Sequence, residues 1–277
     1  MNGTSLPYTL IIVLVELAAG SLAFVVVADA RAMVTRGYMK VAAVVVATTI
    51  VFALWTYAAM GEDRSIDGYA LNESWLAAFS GSMVAMLVLV SLFLVATLRE
   101  QRGATLMFGA AGAIAGLATL VTLSAVIAPP TWSYAGALAS LVVASAALGG
   151  SLMAMSWGHW YLTNSGLPKE PMEQMSLFVV VALAVQLVLV IAGSVLPVRE
   201  VPLTDAAFGV VLGRNPAFWL RIGVGLAFPL VTAALAWRSA TIRGMMSATG
   251  LLYLATGGIL AGEVLARGLM FATAATV

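Results

Sequence analysis

Glu263 and Arg267 stand one helical turn apart in the apolar stretch GGILAGEVLARG, residues 257–268. At spacing i, i+4 they share one face of a helix. Glu16, in the run TLIIVLVELAAG, and Arg221, in FWLRIGVGLAF, are the other ionisable residues set deep in apolar sequence. An ionisable side chain facing lipid costs at least a few kcal/mol, so such groups turn toward protein or water. Burial and a neighbouring guanidinium pull the proton affinity of a carboxylate in opposite directions, a balance that suits proton exchange near neutral pH. Two acids and two guanidinium groups at one depth could therefore hold the polar end of an amphipathic ligand or form part of a proton route. Glu263 and Glu16 are the candidate proton acceptors; Arg267 and Arg221 are candidate ligand-binding groups.

The elements that must position these groups follow from composition. Of the 277 residues, 62% are hydrophobic and only 9% charged, and the mean hydropathy is +1.05. Those values describe an integral membrane protein rather than a water-soluble domain. With 12 acidic and 13 basic residues the chain lacks the basic excess that binds nucleic acid, which is excluded as a partner. The absence of cysteine excludes disulfides, thiolate-held iron–sulfur clusters and cysteine-bound zinc within this chain. No basic residue precedes Arg31, so the first apolar run reads as a retained helix and not as a secretory signal.

A bilayer core requires roughly 20 apolar residues per helix. Runs of that kind occur at about 7–28, 40–60, 74–97, 104–128, 134–160, 175–197, 216–237 and 245–272. Sequences such as MVAMLVLVSLFLVATL do not alternate polar and apolar residues as barrel strands do. The expected architecture is all-α, a polytopic helical bundle with eight transmembrane helices forming one domain over residues 1–277. Lys and Arg favour the cytoplasmic side. The loops after the odd-numbered spans hold Arg31, Arg36, Lys40, Arg99, Arg102, Lys169, Arg238 and Arg243, whereas the other loops hold Arg64, Arg199 and Arg214. Both termini are thus predicted outside. Trp55, Trp75, Trp132 and Trp219 fall at the predicted outer interface and Trp157, Trp160 and Trp237 at the inner one, as aromatic belts. In this frame Glu16, Arg221, Glu263 and Arg267 all belong to the outer half of the membrane. A plainer reading makes Glu263 and Arg267 an intrahelical ion pair and lets Arg267 and Arg221 reach the headgroups.

The segment ILAGEVLARGLMF resembles the last helix of the membrane-anchor subunit of the dimethyl sulfoxide reductase family, which carries an A-G-E-hydrophobic-x-x-R-G pattern. FWLRIGVGLAF is similar to the preceding helix of that family, with its W and R, and ELAAGSLAF to its first helix. The length, the eight spans and the outward termini fit as well. The resemblance implies a multi-pass subunit of a prokaryotic inner (cytoplasmic) membrane that exchanges electrons with a quinone or quinol, menaquinone or ubiquinone. It also implies an iron–sulfur electron-transfer subunit and a molybdenum-containing catalytic subunit as partners. Gly262, Glu263, Arg267, Arg221 and Trp219 match the pattern; Glu73, after Asn72, matches an acidic position there once a gap is allowed. The family carries a histidine after its second helix, where TYAAMGEDRSIDGYALNE has none. The acidic loop from Glu62 to Glu73 and the loop 198–214 would form the dock for the partner's iron–sulfur cluster.

The single histidine, His159, lies in SLMAMSWGHWYLTNSGLPKEP at the expected inner end of span five. One histidine cannot supply bis-histidine haem ligation. His159 reads as an interfacial anchor, a capping donor, or a contact for a second quinone or a headgroup. Gly112-x-x-x-Gly116 and Gly258-x-x-x-Gly262 read as sites of close helix packing, Pro229 as a kink and Pro197 as a helix end. LAAGSLAF and LGGSLMAM hint at a four-plus-four duplication. Two other classes fit the same residues: a secondary transporter, or a structural membrane subunit of a respiratory or photosynthetic complex. No lysine stands in the last span, which excludes a retinal protein.

Overall fold

The computed structural model describes residues 3–61, 65–66, 68–131, 133–164, 166–196 and 212–277. Glu62, Asp63, Arg64 and Asp67 of the expected acidic dock, most of the loop 198–214, Trp132 and Pro197 lie outside the described residues. Within hydrocarbon every backbone N–H and C=O must find a partner inside its own segment, so each apolar run becomes a helix. The helices are α1 Leu6–Ala30, α2 Arg36–Ala59, α3 Leu76–Leu98, α4 Arg102–Ile127, α5 Tyr134–Thr163 and α6 Glu170–Val195. They continue with α7, which spans Pro216–Thr241, and α8 Met245–Thr273. All eight spans are long and apolar enough to cross a membrane, and the described residues contain no strand beyond one isolated bridge, Ile66 with Tyr69.

Helices α2 and α6 begin several residues before their apolar runs, at Arg36 and Glu170. Polar first turns sustain them: Thr35 accepts a hydrogen bond from the Tyr38 amide, and Glu170 and Glu173 complement the positive end of the α6 dipole. Asn215 and Ser133 cap α7 and α5 in the same way. The α1–α2, α3–α4 and α7–α8 connections turn through left-handed backbone at Ala32, Glu100 and Arg243. These turns carry side chains where glycine would be unstrained.

Helices α1 and α5 are the most buried of the spans and cross in backbone contact at Gly20 and Gly149, where a Cβ on either glycine would overlap the other helix. Around them the two halves pack alike. Helix α1 lies on α2, α4 and α5, and α5 lies on α6, α8 and α1; α3 pairs with α4 as α7 pairs with α8. Gly112 and Gly116 of α4 fit against Leu22 and Ala19 of α1, while Gly258 and Gly262 of α8 fit against Pro229 and Gly225 of α7. The outward surface is aliphatic, with Ile114, Val188, Ile191 and Val231 exposed as lipid-facing side chains are.

The rings of Tyr8 and Phe271 lie 6.3 Å apart, so both ends of the chain share one face, here the termini face. The opposite, basic face gathers Arg36, Lys40 and Glu100 and the Lys169 contact to the Thr241 carbonyl. Trp157 corrects the expected aromatic belt. It is 1% exposed and meets Tyr38 edge-on at 5.2 Å, because its side of α5 faces α2 instead of lipid. Pro229 sits in the first turn of the restarted helix Phe228–Thr241, just after a wide π turn over Gly223–Ala227. Proline cannot donate to the helix ladder and crowds the carbonyl four residues back, and the wide turn accommodates it.

Candidate functional site

Four spans converge below the termini face on one charged cluster. Glu16 is held by α1, Gln186 by α6, Arg221 by the first segment of α7, and Glu263 and Arg267 by α8. Counted from the helix ends at 1.5 Å per residue, Glu16 and Glu263 both lie roughly 15 Å deep, and Arg221 and Arg267 roughly 8–9 Å. All are sealed: Glu16 and Glu263 are 0% exposed, and Arg221 and Arg267 1%.

Glu263 is the hub. Its Oε1 accepts from Arg221 Nη2 at 3.0 Å and from Gln186 Nε2, while its Oε2 accepts from Arg267 Nη2 at 3.2 Å. The same Arg267 nitrogen stands 2.7 Å from Glu16 Oε1, a close ion pair that lacks hydrogen-bond alignment. Arg267 Nη1 reaches Ser140 Oγ at 3.4 Å. The fully ionised cluster is neutral, two carboxylates against two guanidinium groups, which is how such charges tolerate removal from water. It is not saturated. Among the described residues, Glu16 Oε2, Arg221 Nε and Nη1, Arg267 Nε and Gln186 Oε1 have no hydrogen-bond partner.

Local backbone brings the cluster together. Gly225, within the π turn, and Gly262 let α7 and α8 approach until a Cβ at Gly262 would stand 2.6 Å from Arg221 Nη1. The guanidinium of Arg221 thus lies across a contact that only glycine permits. Wide helical turns of this kind are frequent at functional sites. Above the cluster the α2–α3 connection folds inward. Tyr69 is buried against Phe271 at 5.1 Å and its hydroxyl donates to the Ile127 carbonyl; burial pushes its phenol well above the ordinary range, and the nearby Arg267 charge opposes that shift. Beside this cover, a cleft of about 170 Å³ opens between α5, α6 and the residues after α8. It is lined by Ser133, Ser140, Gly193 and Thr276 among others. Ser140 both lines the cleft and contacts Arg267, linking the sealed cluster to the termini face.

Matched against protein-family models, curated proteins and solved structures, the chain finds no counterpart in any of them.

The structure brings Glu16, Arg221, Glu263 and Arg267 into one site and leaves the other candidate residues outside it. Trp219 is 61% exposed and donates from Nε1 to the Gly213 carbonyl; two positions from Arg221 on a helix, it points away from the cluster. Glu73 is exposed in the short turn Glu73–Trp75 that leads into α3. His159 is exposed toward the basic end of α5, its Nδ1 3.4 Å from the Tyr253 hydroxyl. No group of three His, Asp or Glu side chains able to hold a metal occurs among the described residues. Sequence reasoning passed over Gln186 and Ser140. Gln186 did leave a signal, a lone amide in VVVALAVQLVLVIAGSV; Ser140 left none, since a serine in an apolar helix ordinarily bonds its own backbone.

Proposed function

We propose that this chain is the membrane-anchor subunit of a multi-subunit molybdenum/iron–sulfur oxidoreductase and exchanges electrons with the quinone pool near the outer membrane face. The termini face is outside in this reading, as the excess of Lys and Arg at the opposite face supports, and the membrane is the prokaryotic cytoplasmic membrane. The observation that carries the proposal is the convergence of Glu16, Arg221, Glu263 and Arg267 from three helices into one set of ion pairs, including the residues through which the chain resembles the dimethyl sulfoxide reductase anchors. The cleft at Ser140 provides an approach for a quinone ring, and the isoprenoid tail runs out between helices into lipid.

Oxidising a quinol releases two electrons and two protons. Ser140 and Arg267 would bind and orient the oxygen at the cleft floor, the Glu263–Glu16 pair would receive one proton, with Arg221 and Gln186 fixing the Glu263 carboxylate, and the other proton would leave through the cleft to water at the termini face. The electrons must pass to an iron–sulfur cluster on a partner seated over the termini face, because this chain has no cysteine to hold one. The covering segment around Tyr69 and the exposed Trp219 and Glu73 lie where that partner would dock.

Gentle purification with metal analysis tests the assembly: iron, molybdenum and two further subunits should accompany the chain. Glu263→Gln tests the site. In an intact complex it should lower quinol oxidation by about 100-fold, the lower range for a positioned proton acceptor. Unchanged turnover would assign the cluster to scaffolding. Uptake of a solute by the chain alone in proteoliposomes would replace this reading with a secondary transporter.

A further inference from the structure

A second space, independent of the charged cluster, opens toward the basic face. A cavity of about 530 Å³ lies between α1, α4, α5 and α6, within the roughly 300–1,000 Å³ of sites that hold small molecules. It exists because small side chains meet there: Ala19, Gly20 and Ala23 of α1, Ala113 of α4 and Ala146 of α5. Phe24 and Phe178, in edge contact at 5.2 Å, form one wall. From Ala19 to Arg31, α1 rises roughly 18 Å at 1.5 Å per residue, slightly more than half of a hydrocarbon core about 30 Å thick. The cavity is one leaflet deep.

Its polarity is graded. Arg31 and Gln174 line the end at the basic face, and Ser145 is the one polar side chain farther in. Arg31 is exposed at the end of α1 and has no ion-pair partner among the described residues. It shares its face with Arg36, Lys40, Arg99, Arg102, Lys169, Arg238 and Arg243, against Asp29, Glu100, Glu170 and Glu173. A leaflet-deep apolar slot with an unpaired guanidinium at its mouth, on the more basic face, complements an anionic amphiphile; basic pockets between helices at such faces hold acidic headgroups.

We propose that this cavity is a structural lipid site, taking one acyl chain of an anionic phospholipid from the adjacent leaflet while Arg31 pairs with the phosphate. Glu16, Arg221, Glu263 and Arg267 take no part, so the site stands or falls apart from the electron-transfer reading. The test is native mass spectrometry with thermal melts of the detergent-purified chain, or of its complex, titrated with phosphatidylglycerol or phosphatidylcholine of identical chains. Phosphatidylglycerol should be retained at one molecule per chain and raise the melting temperature more than phosphatidylcholine. Arg31→Gln should weaken phosphatidylglycerol about fivefold, matching the roughly 1 kcal/mol that a basic residue contributes near an anionic headgroup, and weaken phosphatidylcholine, whose phosphate is offset by its choline, by less. Ala23→Trp, on an exposed position of the wall, should remove retention of both lipids while Arg31 stays in place. Equal retention of the two lipids by the wild-type chain would overturn the proposal. So would a quinone, in place of phospholipid, recovered from the wild-type chain and lost from Ala23→Trp.

Discussion

The same chemistry appears twice in this protein under opposite conditions. At the basic face Arg36 and Lys40 meet Glu100 at 3.3 and 2.9 Å; below the termini face Arg221 and Arg267 meet Glu263 at 3.0 and 3.2 Å. The contacts have similar lengths. The surroundings do not, for the first group is 36–65% exposed and the second 0–1%. In water the attraction between charges is screened and each partner keeps its hydration if the other leaves. In the sealed cluster hydration is gone, and each charge depends on the others. Contact distance alone therefore says little about what an ion pair does; burial decides.

The largest effect expected from this contrast is at Arg267, which alone among the described residues pairs with both carboxylates. Arg267→Ala leaves Glu16 without an ion-pair partner and strips Glu263 of one. Breaking a buried pair on one side costs about 3–5 kcal/mol, so the variant should melt well below the wild type or fail to accumulate. The comparison sharpens if the whole cluster is removed at once. Replacing buried ion pairs by apolar residues of similar volume is often neutral or stabilising, so the combined variant E16L/R221M/E263L/R267M should recover most of the lost melting temperature. It should still lack quinol oxidation if the cluster handles protons. Recovery of both stability and turnover would make the cluster a packing device only.

The fold was legible because hydrocarbon leaves the chain one option. Runs of some 20 apolar residues must be helical, and all eight predicted runs lie largely within observed helices. The four charged residues of the cluster were legible for a related reason. An ionisable group in such a run conflicts with its surroundings, and convergence with opposite charges resolves the conflict. Gln186 obeys the same logic with a smaller penalty, which is why it stood out less. Trp219 enters with Arg221 only through the resemblance of FWLRIGVGLAF to the family's helix; positions two apart on a helix face away from each other. The π turn over Gly223–Ala227 has no periodic signature; its traces are the glycines at 223 and 225 and Pro229. Tyr69 belongs to a connection whose inward fold depends on tertiary partners such as Phe271 and the Ile127 carbonyl.

An intermediate effect belongs to Gln186. Its amide donates to the carboxylate oxygen that also takes Arg221, and hydrogen bonds to charged groups contribute about 1.5–3 kcal/mol. Gln186→Leu keeps a similar volume and leaves both guanidinium groups, so it should lower stability measurably but by less than Arg267→Ala. If the two variants melt alike, the cluster is held by hydrogen bonding more than by charge compensation, and the contrast with the basic face would then rest on the amide.

The smallest effect belongs to Glu100, the exposed counterpart of Glu263. Its hydrogen bond to Lys40, then the charges of Lys40 and Arg36, hold its carboxyl below the ordinary carboxylate range. A carboxyl lowered in the folded state stabilises that state above its unfolded pKa, and the contribution disappears as pH falls through the folded value. Any stabilisation from Glu100 is therefore present at neutral pH and lost only in acid. Because the group is exposed, salt should screen most of it. Glu100→Gln should leave the melting temperature at neutral pH and high salt within replicate scatter, with any difference growing at low salt and vanishing below the carboxylate range. A loss that persists at high salt would mean that the left-handed backbone at Glu100, and not its charge, is what the side chain supports. The two charged regions would then differ in architecture as well as in exposure.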